Sequence, residues 1–192
     1  MKRLVMLVVL LAVAVSAQAN LIVNGDFALH GGANNTTFVD PGGDWTNTTY
    51  YHYNDNDMGT GKYLYVWGTG SVDQDVSVAW TTADTIDISL ITAVTSWGGG
   101  SGSVLVELRK ASDDSVLWDS TSVSVTTTVT PLSWSIAAST LAATEGEDLN
   151  LKITASGNGV AIDDVSMTVV PEPATMALLG LGGLFLRRRR NS

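Results

Sequence analysis

Short β-rich runs separated by turn-forming residues constrain the fold of this chain most strongly. The runs alternate apolar and polar residues or consist of β-branched and aromatic ones, which is the pattern of strands, and no amphipathic helix of useful length appears. Turn formers such as Asp40-Pro41-Gly42-Gly43 and Ser156-Gly157-Asn158-Gly159 stand between them. The runs are Leu21–Val23, Tyr63–Trp67, Val72–Trp80, Thr85–Ile91, Val104–Leu108, Val116–Trp118, Val123–Val129, Leu132–Ala137, Leu149–Ile153 and Val160–Val169. About ten short strands with this spacing predict an all-β body, a single jelly-roll β-sandwich.

The N-terminal segment has the pattern of an export signal. Lys2 and Arg3 precede an apolar stretch from Leu4 to Val15. Ala17 and Ala19 then form the small-x-small pattern that signal peptidase cleaves. We therefore expect residues 1–19 to be a signal peptide and the mature chain to begin at Asn20.

The C-terminal segment has the pattern of a second sorting signal. A stiff, helix-breaking tripeptide precedes an apolar run from Ala174 to Leu186, and a basic cluster follows it. Thirteen residues of helix span roughly 20 Å, less than the ~30 Å hydrocarbon core, so the expected transmembrane helix at 174–186 is a weak anchor. The positive-inside bias keeps the basic cluster in the cytoplasm and the body outside it. The tripeptide is Pro171, Glu172 and Pro173, and the cluster is Arg187, Arg188, Arg189 and Arg190.

This tail resembles the PEP-CTERM signal of Gram-negative envelope proteins. The resemblance implies that an exosortase, a membrane-embedded protease, cuts near Pro171 and passes the body to the cell surface or to an extracellular polysaccharide. A permanent single-span anchor is the alternative. The expected organisation is a signal peptide at 1–19, a sandwich at 20–169 and a sorting signal at 170–192, with the chain held at the inner membrane only until processing.

The body between the two signals is strongly acidic. Residues 20–170 contain 18 of the chain's 19 acidic residues and four of its 10 basic residues, a net charge of about −14. Nucleic acid and anionic lipid are therefore not expected partners. The chain has no cysteine, which excludes disulfides, thiol catalysis and thiolate metal sites.

The order of motifs in the body resembles the galactose-binding-like jelly rolls that include many carbohydrate-binding modules. These motifs are the opening segment Asn20–Phe27, Trp45, Gly61–Leu64, Val104–Leu108 and Gly159–Met167. The resemblance implies a non-catalytic module that binds carbohydrate or exopolysaccharide, with Trp45 in the core.

The same resemblance implies a structural calcium ion between the opening segment and the last strand. Its ligands would be the carbonyl of Asp26 and the side chain of Asp163 or Asp164, since calcium takes oxygen ligands. The relatives place an acidic residue after the position of Phe27, where this chain has Ala28. The loop Asn54–Asp57 is a second candidate calcium site, although it lacks the spacing of an EF-hand.

Aromatic side chains of the kind that stack on sugars cluster in two runs, Tyr50–Tyr53 and Tyr63–Trp67. In a strand, Tyr63, Tyr65 and Trp67 share one face, and we expect Leu64 and Val66 to face the core. The aromatic face is then a candidate glycan site, the alternative being that it covers a second sheet. The predicted glycan-binding residues are Tyr51, Tyr53, Tyr63, Tyr65, Trp67 and Trp97.

Three other functions remain as alternatives to sugar binding. A structural surface or matrix protein without a specific ligand fits the Ser- and Thr-rich strands. An enzyme is weakly indicated, because His30 and His52 stand in no hydrolase motif, although two of the many carboxylates could pair in a small glycosidase. An ice-binding face lacks Thr-x-Thr ladders beyond Thr126–Thr128.

Overall fold

The computed structural model describes residues 19–28, 36–37, 45–47, 51–55, 58, 61–96, 98–141 and 145–171. These residues form ten strands and one turn of 3₁₀ helix at Ala138–Thr140. The strands are β1 Thr36–Thr37, β2 Trp45–Asn47, β3 Tyr51–Asp55, β4 Gly61–Val76, β5 Thr85–Val94, β6 Gly102–Lys110, β7 Val116–Asp119, β8 Val123–Val125, β9 Thr130–Ala137 and β10 Leu149–Val170. The predicted all-β class is confirmed.

Two long strands, β4 and β10, link the two layers of a sandwich-like fold. The first half of β10 pairs with β6 and with the second half of β4, and all these pairs are antiparallel. The second half of β10 pairs with β5, which pairs in turn with β9. The strand order is β1-β3-β4-β10-β5-β9, with β2 paired to β4, and with β10, β7 and β8 all paired to β6.

Glycines make the bend in β10 possible. The register shifts between Asn158 and Val160, where Gly157 has a φ of 131° and Gly159 a φ of 88°. A Cβ on Gly157 would lie 2.7 Å from the Cα of Gly102, and one on Gly159 would lie 2.6 Å from the Cα of Gly98. Only glycine permits both the left-handed backbone and this close approach.

The hydrophobic core lies between the two halves of the bent strands. Leu149, Leu151 and Ile153 in the first half of β10 belong to the same buried cluster as Ile88 of β5 and Val106 of β6. The residues between them in the sequence point to the outer face, as expected for a strand with one face in the core. The predicted core positions of Trp45, Leu64 and Val66 are confirmed, since all three belong to this cluster.

The structure departs from the predicted strands in several ways. No predicted run covers β1, β2 or β3, and the runs Tyr63–Trp67 and Val72–Trp80 are one strand, β4, which ends at Val76. The run Leu21–Val23 is not a strand, because it forms turns whose backbone is held by side chains. Ser156–Gly159 is a bend inside β10 instead of a turn between two strands, so the last two predicted runs are one strand. A glycine cluster in the sequence does not distinguish a turn between two strands from a sharp bend within one strand, because both need the same backbone freedom.

Within the part of the chain that the structure describes, no helix is both long and apolar enough to cross a bilayer. The predicted signal peptide up to residue 18 and the predicted transmembrane segment 174–186 lie outside the described residues. Those two predictions therefore stay predictions.

Candidate functional site

Trp67 is the most prominent aromatic side chain on the described surface. It lies on the outer face of β4, beside the bend, with 49% of its surface exposed. Its ring centroid is 6.4 Å from that of Tyr65, which supports it from one side. Its partner across the strand pair is the exposed Asn158 of β10. An exposed indole next to an amide is the combination that sugar-binding sites use for stacking and for orienting hydroxyls.

A row of hydroxyls crosses the outer face next to Trp67. Thr69 of β4 pairs with Ser156 of β10, which pairs with Ser103 of β6, and Ser103 pairs with Ser124 of β8. The hydroxyls of Thr69 and Ser156 are hydrogen-bonded at 3.0 Å, and both side chains are exposed. Four strands thus present small hydroxyl side chains in register, which leaves a level surface beside the indole.

Acidic and basic side chains follow further along the same outer face. The amide nitrogen of Asn150 donates to the carboxylates of Asp73 at 3.2 Å and Asp75 at 2.8 Å. On β6, Arg109 donates to Glu107 at 2.9 Å and to Asp114 at 2.7 Å. Burial lowers the pKa of Arg109, but its hydrogen bonds to the carboxylates of Asp114 and Glu107 outweigh burial, and the pKa is raised. The hydrogen bond from Arg109 lowers the pKa of Asp114.

The predicted exposure of Tyr63 and Tyr65 is wrong. Tyr63 is 0% and Tyr65 is 3% exposed, and both pack in a second, smaller buried cluster with Met58, Ala93 and Ala161. This part of β4 is buried on both faces, because the main core covers one face and the smaller cluster lies on the other. Period-two alternation correctly separates the two faces, but it cannot tell which of two apolar faces is solvated.

The side chains of several residues that the sequence singled out are not described by the structure. The backbones of Tyr51 and Tyr53 lie in β3, opposite Tyr65 and Tyr63, but their side chains are not among those described. Trp97, Asp57 and His30 lie outside the described residues. Glycan contacts by Tyr51, Tyr53 and Trp97 stay predictions.

The opening segment and the last strand meet at an open depression of about 430 Å³. Asp26, Asp164 and Asn24 line it together with Ser166, whereas Asp163 is fully buried and is not part of the lining. Asp164 has a φ of 50°, and its amide donates to the carboxylate of Asp163 at 2.8 Å. No group of three or more His, Cys, Asp or Glu side chains suited to a metal occurs among the described residues. Two of the three predicted calcium residues, Asp26 and Asp164, therefore line one depression, and the third, Asp163, does not.

Asn20 has a role that sequence reasoning missed. Its side-chain oxygen accepts hydrogen bonds from the amides of Met167 at 3.0 Å and Ile22 at 3.1 Å, and its amide donates to the carbonyl of Val165 at 3.4 Å. The predicted first residue of the mature chain thus ties the opening segment to β10. The sequence Asn20–Val23 does not indicate these hydrogen bonds, because the bonds to Val165 and Met167 join residues at opposite ends of the body.

The C-terminal end matches the family model of the PEP-CTERM protein-sorting motif over residues 169–190. The match begins within the last two residues of β10, so the motif directly follows the sheet. This confirms the recognition of the tail from Pro171, Glu172, Pro173 and the basic cluster. The motif indicates an exported protein that is sorted by an exosortase. No curated protein sequence matches this chain.

Solved structures share the fold of the body at low sequence identity. The apo form of a cyclase from Fischerella sp. is similar with a TM-score of 0.62 and 13% identity, covering 81% of this chain and 98% of that one. TmCBM61, solved in complex with β-1,4-galactotriose, has a TM-score of 0.50 and 11% identity, covering 78% of this chain and 97% of that one. The MgGH51 α-L-arabinofuranosidase has a TM-score of 0.53 and 16% identity, covering 79% of this chain but 26% of the enzyme. These likenesses concern the fold, which enzymes and binding modules share. The chain therefore carries a PEP-CTERM protein-sorting motif after a sandwich-like body, whose fold is shared by enzymes and binding modules alike.

Proposed function

We propose that the exported body binds an envelope or extracellular polysaccharide without catalysis, through the outer face around Trp67. The observation that carries the proposal is the half-exposed indole of Trp67, which lies beside Asn158 and the hydroxyl row of Thr69, Ser156, Ser103 and Ser124. A pyranose ring stacks its C–H face on an indole, and its hydroxyls exchange hydrogen bonds with hydroxyls and amides. The sorting motif supports the proposal, because it delivers the body to where such polymers are found.

A neutral polysaccharide fits this face better than an anionic one. The body carries about −14, and Asp73 and Asp75 lie further along the same face. Charged polymers with carboxylates or sulfates would be repelled at low salt. Neutral, hydroxyl-rich polysaccharides such as xylan, glucan or galactan would not be repelled.

A glycan array of immobilised neutral and anionic polysaccharides tests the proposal. The buried core residues that the structure describes lie between Ile22 and Met167, and residues 20–171 contain all of them. We expect this body to bind one or more neutral polymers and Trp67→Ala to lose about tenfold or more in affinity, as for an aromatic stacking residue at the centre of a site. Val116→Ala, which removes a comparably exposed apolar side chain elsewhere, is the control. Binding to no polymer, or binding by Trp67→Ala equal to wild type, would favour a structural matrix protein.

We also propose that a calcium ion stabilises the junction of the opening segment and β10. The backbone carbonyl of Asp26 and the carboxylate of Asp164 would hold it, because both residues line one depression and calcium takes hard oxygen donors. Water and backbone carbonyls would complete the coordination. The ion's contribution would be structural, since it would hold the opening segment against β10.

We propose that signal peptidase releases residues 1–19, and that an exosortase processes the tail after the apolar segment 174–186 has held the chain at the inner membrane. The tripeptide Pro171-Glu172-Pro173 and the four terminal arginines support this order of events. Replacing Arg187, Arg188, Arg189 and Arg190 by serine should leave the body unsorted. Surface delivery unchanged by that replacement would contradict the proposal.

A further inference from the structure

The chain enters and leaves the body at the same end of the sheet. The amide of Leu21 donates to the carbonyl oxygen of Met167 at 2.8 Å, and the Asn20 side chain accepts from the Met167 amide at 3.0 Å. Val170, the last residue of β10, lies three residues further along the chain. The expected first residue of the mature chain therefore lies beside the beginning of the sorting motif, which starts at residue 169.

The segment between the sheet and the apolar run of the tail is too short to be a free linker. Val170 pairs with Thr85 of β5, and the apolar run begins four residues later, at Ala174. The intervening tripeptide contains two prolines and no glycine, which is the composition of a stiff spacer. Four residues reach at most about 14 Å, and a lipid headgroup layer is about 6 Å thick. With Ala174 at the edge of the hydrocarbon, this end of the sheet lies within about 8 Å of the membrane surface.

The Trp67 face lies at the opposite end of the same strands. The ladder of β5 with β10 runs from Thr85 to Val94, which is opposite Val160 at the bend. Val160 is also opposite Val66 of β4, the residue before Trp67. The length of β5 between these two ends is roughly 30 Å, at about 3.3 Å for each residue. Trp67 and the attachment point of the tail are therefore separated by almost the full length of a strand.

Charge disfavours a body that lies flat on the membrane. The body carries about −14, and an anionic lipid surface repels such a body along its whole length. Asp73 and Asp75 lie on the outer face that carries Trp67 and add to the repulsion there. The covalent link brings one end close to the lipid, and the repulsion keeps the other end away.

We propose that the chain, before its tail is processed, links the membrane to polysaccharide. The end of the sheet at Asn20 and Val170 faces the bilayer, and the Trp67 face is held roughly 30 Å further out. Anchoring and polymer binding use opposite ends of one body, so both can occur at once. The link rests on the proposed functions of the Trp67 face and of the tail, whereas the orientation does not depend on polymer binding.

Fluorescence quenching in vesicles tests the orientation. The chain has no cysteine, so a fluorophore can be attached at one introduced cysteine. Ala137→Cys lies at the membrane end, because Ala137 pairs with Thr85, and Ser101→Cys is exposed beside the bend. Residues 20–192 with either label are reconstituted in phosphatidylcholine vesicles that contain a headgroup-spin-labelled lipid. We expect the Ala137 label to be quenched severalfold more strongly than the Ser101 label. If Ala137→Cys does not fold, Thr140→Cys at the same end replaces it.

Two controls separate tethering from adhesion. The labelled body without its tail, residues 20–171, should show no quenching. A flexible Gly-Ser insertion of about ten residues after Val170 adds roughly 17 Å of mean reach and should lower the quenching at Ala137. Equal quenching of both labels, or quenching of neither, would overturn the proposal. Stronger quenching at Ser101 would also overturn it, because the Trp67 end would then lie at the membrane.

Sedimentation of the same vesicles tests the link. Vesicles that carry residues 20–192 should sediment with a neutral polysaccharide that the released body binds, and Trp67→Ala should abolish this. Vesicles that stay in the supernatant, although the released body binds the same polymer, would refute the link. A released body that binds no polymer would refute the proposed function and the link together, while the measured orientation would stand.

Discussion

The amide of Val165 donates a hydrogen bond of 2.9 Å to the carbonyl oxygen of Gly25, and the two backbones lie so close that a Cβ on residue 25 would collide with the carbonyl oxygen of Val165. The opening segment is therefore fixed against the last strand by backbone contact. Its position determines where Asp26 lies relative to Asp164, and so the shape of the depression between them.

Gly25→Ala should destabilise the body strongly. The added methyl meets backbone, which cannot move aside by changing rotamer, so we expect the free energy of unfolding to fall by about 3 kcal/mol. Urea unfolding followed by circular dichroism measures this. Val23→Ala, an exposed neighbour in the same segment, should change it by less than about 0.5 kcal/mol. Equal effects of the two substitutions would contradict the account.

A body that begins at Leu21 should be less stable than one that begins at Asn20. The shorter chain loses the hydrogen bonds of the Asn20 side chain to Ile22, Val165 and Met167. We expect a loss of about 1–2 kcal/mol, as for hydrogen bonds that are partly buried. Melting curves of the two chains test this, and Asn20→Ala should fall near the shorter one. Identical melting of all three would show that Asn20 does not tie the termini.

Trp67→Ala and Tyr65→Ala should differ sharply in stability, although the residues are neighbours on one face. Tyr65 is buried, so its removal leaves a cavity and should cost about 3–5 kcal/mol. Trp67 is half-exposed, and its removal should cost about 1 kcal/mol or less. Chemical denaturation of both variants gives the comparison. Severe unfolding by Trp67→Ala would place the indole in the core and remove it from the surface.

Calcium should raise the melting temperature of the body if Asp26 and Asp164 hold it. Binding to the folded state alone adds about 2.7 kcal/mol at a hundredfold excess over Kd. Melting with calcium and again with EDTA measures the effect, which Asp164→Asn should abolish. Asp113→Asn, an exposed carboxylate on another turn, should keep it. A melting temperature indifferent to calcium would end the proposal for this ion.

The ion pair of Arg109 with Asp114 should give a stability difference that depends on pH. Arg109 lowers the pKa of Asp114 in the folded state below its ordinary value of 3.8. A lowered pKa stabilises the fold fully above that ordinary value and ceases to do so as the pH falls through the folded pKa. Wild type should therefore exceed Asp114→Asn in stability at neutral pH by a small margin, since the Asp114 side chain is 68% exposed and solvent weakens the pair. Urea unfolding at neutral and strongly acidic pH tests this, and a margin that persists in acid would contradict it.

Much of the fold follows from local sequence patterns. Alternation in Val104–Leu108 and Leu149–Ile153 predicts strands with one buried face, and the structure has both in one core. Trp45 is also buried as predicted. These features depend on periods of two residues, which a short stretch of sequence contains.

The features that the sequence did not predict depend on distant residues. The burial of Tyr63 and Tyr65 requires Met58, Ala93 and Ala161, which come from three separate places in the chain. The hydroxyl row at Thr69 requires four strands in register, and serines do not indicate register in a sequence.

Retention of the body on the producing cells' own extracellular polysaccharide is the most direct measurement of the central claim. Purified polymer is sedimented with residues 20–171 of the wild type, of Trp67→Ala and of the control Val116→Ala. We predict that wild type and Val116→Ala sediment with the polymer, and that Trp67→Ala stays in the supernatant although its circular dichroism is unchanged. Equal sedimentation of a folded Trp67→Ala body would contradict the claim that this face binds polysaccharide.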